Sequence, residues 1–122
     1  MAKEYSPDLQ KLFLEMMMQD AQNYVRVQNI FNPENFDRSL KETATFIAEH
    51  STKHATLPTY EMVKANVGVE LKPIPDMLDG HNDWFMAEFE SFTKRQELER
   101  AILKSADMLE KGEYDPVEKL IK

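Results

Sequence analysis

Apolar residues recur at intervals of three and four along most of the chain, the spacing that places side chains on one face of an α-helix. Residues that favour a helix N-terminus stand at Ser6-Pro7, Asp20 and Thr59, and Gly68 is suited to end a short helix. The predicted helices cover residues 7 to about 18, the segment after Asp20, 38–53 and 60–66. The apolar positions of the segment after Asp20 are Tyr24, Val25, Val27 and 30–31. No segment alternates apolar and polar residues as a β-strand does. We therefore expect an all-α protein built as a small helical bundle.

The longest predicted helix covers residues 83–111, is capped by Asn82 or Asp83, and would extend over roughly 43 Å. Its first apolar stripe has the spacing of a helix packed against a core and consists of Phe85, Phe89 and Phe92. The segment 93–97 is polar throughout. A second stripe follows, rotated by roughly 130° about the helix axis, and consists of Leu98, Ile102, Ser105 and Leu109. A helix that packs on one body keeps one apolar face, so the change of face predicts two partners for this helix.

The second stripe has two interpretations. Asp115-Pro116 favours the start of a final helix, which could cover Leu109 and Ile102 within the same chain. With about two turns before residue 122, that helix is too short to reach Leu98 as well. Because an uncovered apolar face usually marks an interaction site, we predict an interface with another chain. The predicted interface residues are Leu98, Ile102, Ser105, Leu109, Leu120 and Ile121.

Charge and composition exclude several classes of protein. The net charge of −7 at pH 7 argues against a domain that binds nucleic acid through a basic face. The chain has no cysteine, so it has neither a disulfide framework nor a thiolate metal site. No apolar run is typical of a signal peptide or of a membrane span, which favours a cytoplasmic protein.

The 122 residues suffice for one domain. Its predicted core consists of Leu12, Phe13, Met16, Phe36, Ile47, Phe85, Phe89 and Phe92.

The sequence contains no group of residues typical of an enzyme. The three glycines are isolated, and none lies in the GxxxxGK[ST] pattern of a phosphate-binding loop. His50 and His54 are four residues apart on one helix face, a spacing that can hold zinc, but the glutamate that follows the first histidine in zinc proteases is absent. Two solvated histidines near a helix C-terminus explain the pair more simply. We predict no catalytic residue, metal or cofactor in this chain, with a metal-dependent hydrolase as the alternative.

Two apolar features have both a structural and a binding interpretation. Trp84 opens the long helix and is suited either to anchor that helix on its own core or to serve as an interface hot spot. The run of three methionines at 16–18 is suited to fill a core or to line an adaptable binding groove. For both features the core interpretation is the more common one in proteins.

A series of anchor positions follows the order found in a known family. These positions are 12–17 and Asp20, then Tyr24, 30–31 and 33–36, then Leu40 and Ile47, then 57–59 and Val63, then Trp84, 92–95, Leu103 and 106–107, and finally 115–120. Together they extend over almost the whole chain. They resemble the N-terminal domain of replicative DNA helicases of the DnaB family, particularly its divergent phage members.

The resemblance implies both a fold and a role. In that family a helical head is followed by a helical hairpin, which predicts a head over residues 1–93 and a hairpin arm over 94–122. Hairpins pair between subunits, so that six copies form a collar, a trimer of dimers, beside the ATP-driven motor ring. The implied partners are other helicase subunits and a primase or helicase loader, without direct contact between this domain and nucleic acid. The implied function is that of a non-catalytic collar domain in DNA replication.

Two parts of the family's architecture are not found within these 122 residues: the motor domain and most of the second hairpin arm. An N-terminal domain trimmed from a helicase would lack both, and its parent protein would be an ATP-dependent enzyme. A stand-alone phage adaptor or regulator, loader-like and acting on the replication machinery in trans, would lack both as well. The sequence leaves these two hypotheses open.

Overall fold

The computed structural model describes residues 5–110, including every side chain except those of residues 79 and 108–110. These residues form five α-helices and a single turn of 3₁₀ helix, with no β-strand among them. The all-α prediction is confirmed. The elements are α1 (Pro7–Gln19), α2 (Ala21–Val27), the 3₁₀ turn (Pro33–Asn35), α3 (Lys41–His54), α4 (Tyr60–Val67) and α5 (Asp79–Glu110).

Three helices begin at the polar residues that the sequence indicated. Ser6, Asp20 and Thr59 each accept a hydrogen bond from a backbone N–H in the first turn of the helix that follows, at 3.0 to 3.2 Å. Each bond satisfies a donor that has no partner within the helix itself. Gly68 ends α4 in the left-handed conformation at φ 73°, where a side chain would be strained. The ends of these helices are therefore fixed by local interactions.

Helix α3 begins at Lys41, so the predicted start at residue 38 was wrong by one turn. The Asp37 carboxylate accepts hydrogen bonds from the Ser39 backbone N–H at 3.0 Å and from the Ser39 hydroxyl at 2.6 Å. These bonds hold the residues before the helix in a turn. They also lower the pKa of Asp37, the hydroxyl contributing more than the N–H. The start was misplaced because Asp and Ser favour turns and helix starts alike.

Helix α2 is shorter than its apolar pattern predicted. It ends at Val27, and the chain then turns with the Ile30 N–H bonded to the Val27 carbonyl at 2.9 Å. Ile30 and Phe31 therefore lie after the helix, where both are partly buried against the core. Val25, also expected among the apolar positions of this helix, is 53% exposed.

Helix α5 begins at Asp79, four residues before the predicted start, and neither Asn82 nor Asp83 is its N-cap. The side chain of Asn82 instead connects α5 to α2. Its Oδ1 accepts a hydrogen bond from Asn23 Nδ2 at 3.0 Å, and its Nδ2 donates to Asp20 Oδ2 at 3.3 Å. A residue type that caps helices is used here for a contact between helices, which the local sequence does not distinguish.

The core is an aromatic cluster between α1 and the first half of α5. The ring of Phe13 lies 5.5 to 5.9 Å, centroid to centroid, from the rings of Phe85, Phe89 and Phe92. All four are essentially inaccessible to solvent. Aromatic pairs at this spacing add to the hydrophobic gain of burial. Of the predicted core residues, Leu12 is partly buried, and the buried ones are Phe13, Met16, Phe36, Ile47, Phe85, Phe89 and Phe92.

The segment 69–78, here called the strap, crosses α1 without regular secondary structure. Two side chains of α1 accept hydrogen bonds from the backbone of the strap, as a neighbouring strand would in a sheet. Glu15 Oε2 accepts a hydrogen bond from the Lys72 backbone N–H at 2.8 Å, and Gln19 Oε1 accepts one from the Ile74 N–H at 3.1 Å. The strap is thereby held at a defined position between α4 and α5.

Candidate protein–protein interface

Helix α5 runs unbroken through the polar segment 93–97, but the surroundings of its side chains change along its length. Its first half supplies three of the five buried phenylalanines of the core. Further along, Leu98 is 61% exposed, Ile102 58% and Leu103 70%. None of these three belongs to the core cluster. One continuous helix therefore has a buried apolar half and an exposed apolar half.

Between the two halves, α5 is hydrogen-bonded to the 3₁₀ turn through a contact that we call the joint. Gln96 Nε2 donates to the Asn35 carbonyl at 2.8 Å, and Arg100 Nη2 donates to Asn35 Oδ1 at 2.6 Å. Asn35 is almost completely buried. Because one of these bonds is charge-assisted and short, the joint fixes the position of α5 relative to the head.

The polar segment is therefore part of the head's surface. Thr93 is buried, and the Arg95 guanidinium lies 5.8 Å from the centre of the Tyr5 ring while pairing with Glu99 at 3.6 Å. The predicted division at residue 93 stays a prediction. The joint shows that α5 still contacts the head about two turns beyond that position, at Arg100.

The predicted interface residues have different surroundings. Leu98 and Ile102 are exposed, as an interface with another chain requires, whereas Ser105 is buried within this chain. The side chain of Leu109 and the residues Leu120 and Ile121 lie outside the described part of the structure. The interface as a whole stays a prediction. Of its members, Leu98 and Ile102 have exposed side chains that a partner could contact.

Leu103 is an exposed apolar residue that the stripe did not include. It stands 18 residues after Phe85, which is five full turns and therefore the same face of the helix. That face points into the core at Phe85 and into solvent at Leu103. The 18-residue spacing that places Leu103 on the face of Phe85 is visible in the sequence, but the sequence does not show where along α5 that face stops being covered. The exposed apolar surface consequently extends around more than one side of the helix.

The other candidate sites from the sequence are the pair His50 and His54, and Trp84. The rings of His50 and His54 lie 4.6 Å apart on α3, and no group of three or more potential metal-binding side chains occurs among the described residues. Trp84 is 40% exposed, with its ring 6.3 Å from that of Phe13. None of the described helices is both long enough and apolar enough to cross a membrane.

Comparison with known proteins does not assign the chain to a family. No protein-family model, no curated protein and no solved structure matches it. The exposed half of α5 and the joint are therefore the features from which a function can be inferred, together with the pattern of anchors along the sequence.

Proposed function

We propose that this chain is the non-catalytic N-terminal collar domain of a replicative DNA helicase, in which the exposed half of α5 joins neighbouring subunits. The observation that carries the proposal is the exposure of Leu98, Ile102 and Leu103 on a helix whose first half packs into the core through three phenylalanines. Large exposed apolar groups this close together favour an interface. The proposal also includes docking of a primase or helicase loader, which is supported by the sequence resemblance alone.

The strength of the subunit contact can be bounded from the three exposed side chains. Burying a whole Leu or Ile side chain contributes about 1.5–3 kcal/mol, so three that are roughly 60% exposed contribute about 3–5 kcal/mol from each of the two subunits in contact. A micromolar dissociation constant needs about 8 kcal/mol. Because association costs about 4–15 kcal/mol in lost translational and rotational freedom, these three side chains by themselves support only weak self-association. The proposal accordingly extends the interface to Leu109, Leu120 and Ile121, and relies on ring closure for further stability.

Sedimentation velocity across a range of concentrations tests the subunit contact. We expect the chain to self-associate as its concentration rises, and the double variant Leu98→Glu/Ile102→Glu to remain monomeric because charges cannot be buried in an apolar interface. Val25→Glu is the matched control, since Val25 is similarly exposed on α2. A wild-type chain that is monomeric throughout, or a double variant that associates like the wild type, would refute the contact.

The coding sequence downstream of residue 122 tests the helicase assignment itself. A reading frame that continues into a GxxxxGK[ST] phosphate-binding loop would establish a motor domain in the same protein. A frame that ends at residue 122 would instead favour an adaptor that acts on the replication machinery in trans. This test is independent of whether the isolated chain associates.

A further inference from the structure

An apolar cleft of about 180 Å³ lies where α1, the strap and the start of α5 meet. Its exposed wall is entirely apolar, and the residues that line it are Leu12, Met16, Ile74, Met77, His81 and Trp84. An engineered apolar cavity of about 150 Å³ is large enough to admit a benzene ring. The cleft therefore has room for one bulky apolar side chain from another molecule.

The lining combines a rigid aromatic with adaptable side chains. Trp84 is 40% exposed at the cleft, and its ring also lies beside that of Phe13 in the core. The contact with Phe13 fixes the position of the Trp84 ring. Met16 and Met77 supply flexible thioethers, which adjust to the shape of an inserted group. Leu78, next to the cleft on the strap, is 69% exposed and enlarges the apolar surface around it. Partly exposed tryptophan beside methionine is typical of binding surfaces.

The strap side of the cleft is preorganised. Backbone N–H groups of Lys72 and Ile74 donate to Glu15 and Gln19, which fixes the strap at Ile74 in the cleft and two residues before it. At the other end, the Leu78 N–H donates to His81 Nδ1 at 3.0 Å, within the first turn of α5. A site held on both sides loses little conformational entropy when a ligand enters.

The charges around the cleft indicate what kind of partner would bind. On residues with described side chains that lie within two positions of the lining along the chain, or one helical turn from it, carboxylates outnumber amines. The carboxylates are Asp8, Glu15, Asp20, Asp76, Asp83 and Glu88, and the amines are Lys11 and Lys72. This excess attracts a cationic ligand and disfavours an anionic one. An apolar cleft with an acidic rim is complementary to an amphipathic helix whose apolar face is flanked by Lys or Arg.

We propose that this cleft binds a basic amphipathic helix of a partner protein, which inserts one aromatic or long aliphatic side chain between the strap and Trp84. The inference deepens the docking part of the proposed function and rests on it for the existence of a partner. It does not depend on subunit assembly, because Trp84 lies about 21 Å along α5 from Leu98.

A synthetic peptide provides the probe. Trp84 is the only tryptophan in the chain, so its emission reports directly on the cleft. We expect a helical Leu/Lys peptide of about 18 residues to shift that emission to the blue and to bind at least about tenfold more tightly than a Leu/Glu peptide of the same pattern. Equal binding of the two peptides, or no binding of the Leu/Lys peptide, would overturn the proposal.

Two variants locate the binding. Met77→Glu places a charge in the apolar wall and should weaken Leu/Lys peptide binding by about tenfold or more. Asp8→Lys/Asp76→Lys changes only exposed rim residues, which protects against misfolding, and should weaken it in a salt-dependent manner. Val25→Glu, outside the cleft, should bind like the wild type.

The outcomes separate this proposal from the subunit contact. Binding that survives both cleft variants would place the peptide elsewhere and overturn the proposal. If Met77→Glu abolished self-association instead, the occupant of the cleft would be a second copy of the chain, and the proposal would also be wrong. Loss of self-association in Leu98→Glu/Ile102→Glu with intact peptide binding would support both proposals, and a monomeric wild type that binds the peptide would refute only the subunit contact.

Discussion

The two halves of α5 differ in their surroundings although they belong to one continuous helix. In the first half, Phe85, Phe89 and Phe92 are packed against α1 and its neighbours, and in the second half Leu98 and Ile102 are more than half exposed. Helix formation therefore does not decide whether an apolar face is buried. The elements that lie beside the helix decide it, because the hydrophobic gain comes from the area removed from water. Such neighbours surround the three phenylalanines but not Leu98 or Ile102.

The largest effect that this comparison predicts is a difference between core and arm substitutions. Phe89→Ala should lower the free energy of unfolding by about 3–5 kcal/mol, because it leaves a cavity among closely packed rings. Ile102→Ala should change it by less than about 0.5 kcal/mol, because the side chain is largely in water already. Urea denaturation followed by circular dichroism, at a concentration where the chain is monomeric, measures both. A cost above about 2 kcal/mol for Ile102→Ala would mean that the arm packs on its own head.

The joint predicts a smaller effect that depends on two residues together. Asn35→Ala should cost about 1–3 kcal/mol, since it removes a buried acceptor from a charged donor. Asn35→Ala and Arg100→Ala should be non-additive by about 0.5–1.5 kcal/mol, because they remove the same hydrogen bond. A double-mutant cycle from urea denaturation measures this coupling.

A matched cycle with Lys104→Ala controls for the joint. Lys104 is a cation one turn beyond Arg100 on α5 and is exposed, so its substitution should be additive with Asn35→Ala. If Arg100→Ala were additive as well, the 2.6 Å contact would contribute nothing to stability, and only the Gln96 bond to the Asn35 carbonyl would remain in the joint.

The smallest predicted effect is a pH dependence at the edge of the head. Hydrogen bonds from the Ser39 hydroxyl and backbone N–H lower the pKa of Asp37 from its ordinary value of 3.8. Because this pKa is lower in the folded protein, the ionised carboxyl stabilises the fold at neutral pH. That contribution is lost as the pH falls below the ordinary value and through the lowered one. Asp37 lies at the surface, so the effect is small.

Thermal denaturation between pH 7 and pH 2 measures this dependence. The melting temperature of Asp37→Asn should be below that of the wild type at pH 7, and the difference should shrink at the acid end. Ser39→Ala, which removes the hydroxyl donor, should show a smaller difference with the same pH dependence. A constant difference across the range would show that the hydrogen bonds do not favour the ionised carboxyl.

The sequence predicted those helix ends that depend on contacts within one turn. Ser6, Asp20 and Thr59 bond to an N–H two or three residues away, and Gly68 ends α4 through its own backbone conformation. The start of α5 was missed because Asn82, which has the composition of a cap, bonds instead to residues of another helix. Composition identifies what a side chain can do, and long-range packing selects among the possibilities.

The candidate sites also differ in whether the sequence alone could predict them. The exposure of Leu98 and Ile102 followed from the change of apolar face, which the sequence displays. The joint could not be predicted from the sequence, because Gln96 and Arg100 lie 61 and 65 residues along the chain from Asn35. The apolar cleft likewise required α1, the strap and α5 to be brought together. No pattern within one segment indicates such a meeting.

The sequence by itself determined the class of the fold, most helices, and the presence of a helix with two apolar faces. These features follow from the periodicity of apolar residues and from caps, which act over three or four residues. Only the tertiary structure decided which distant segments α5 contacts and which of its apolar groups remain in water. Those properties depend on which distant segments pack side by side, because each segment's burial is determined by its neighbours in space.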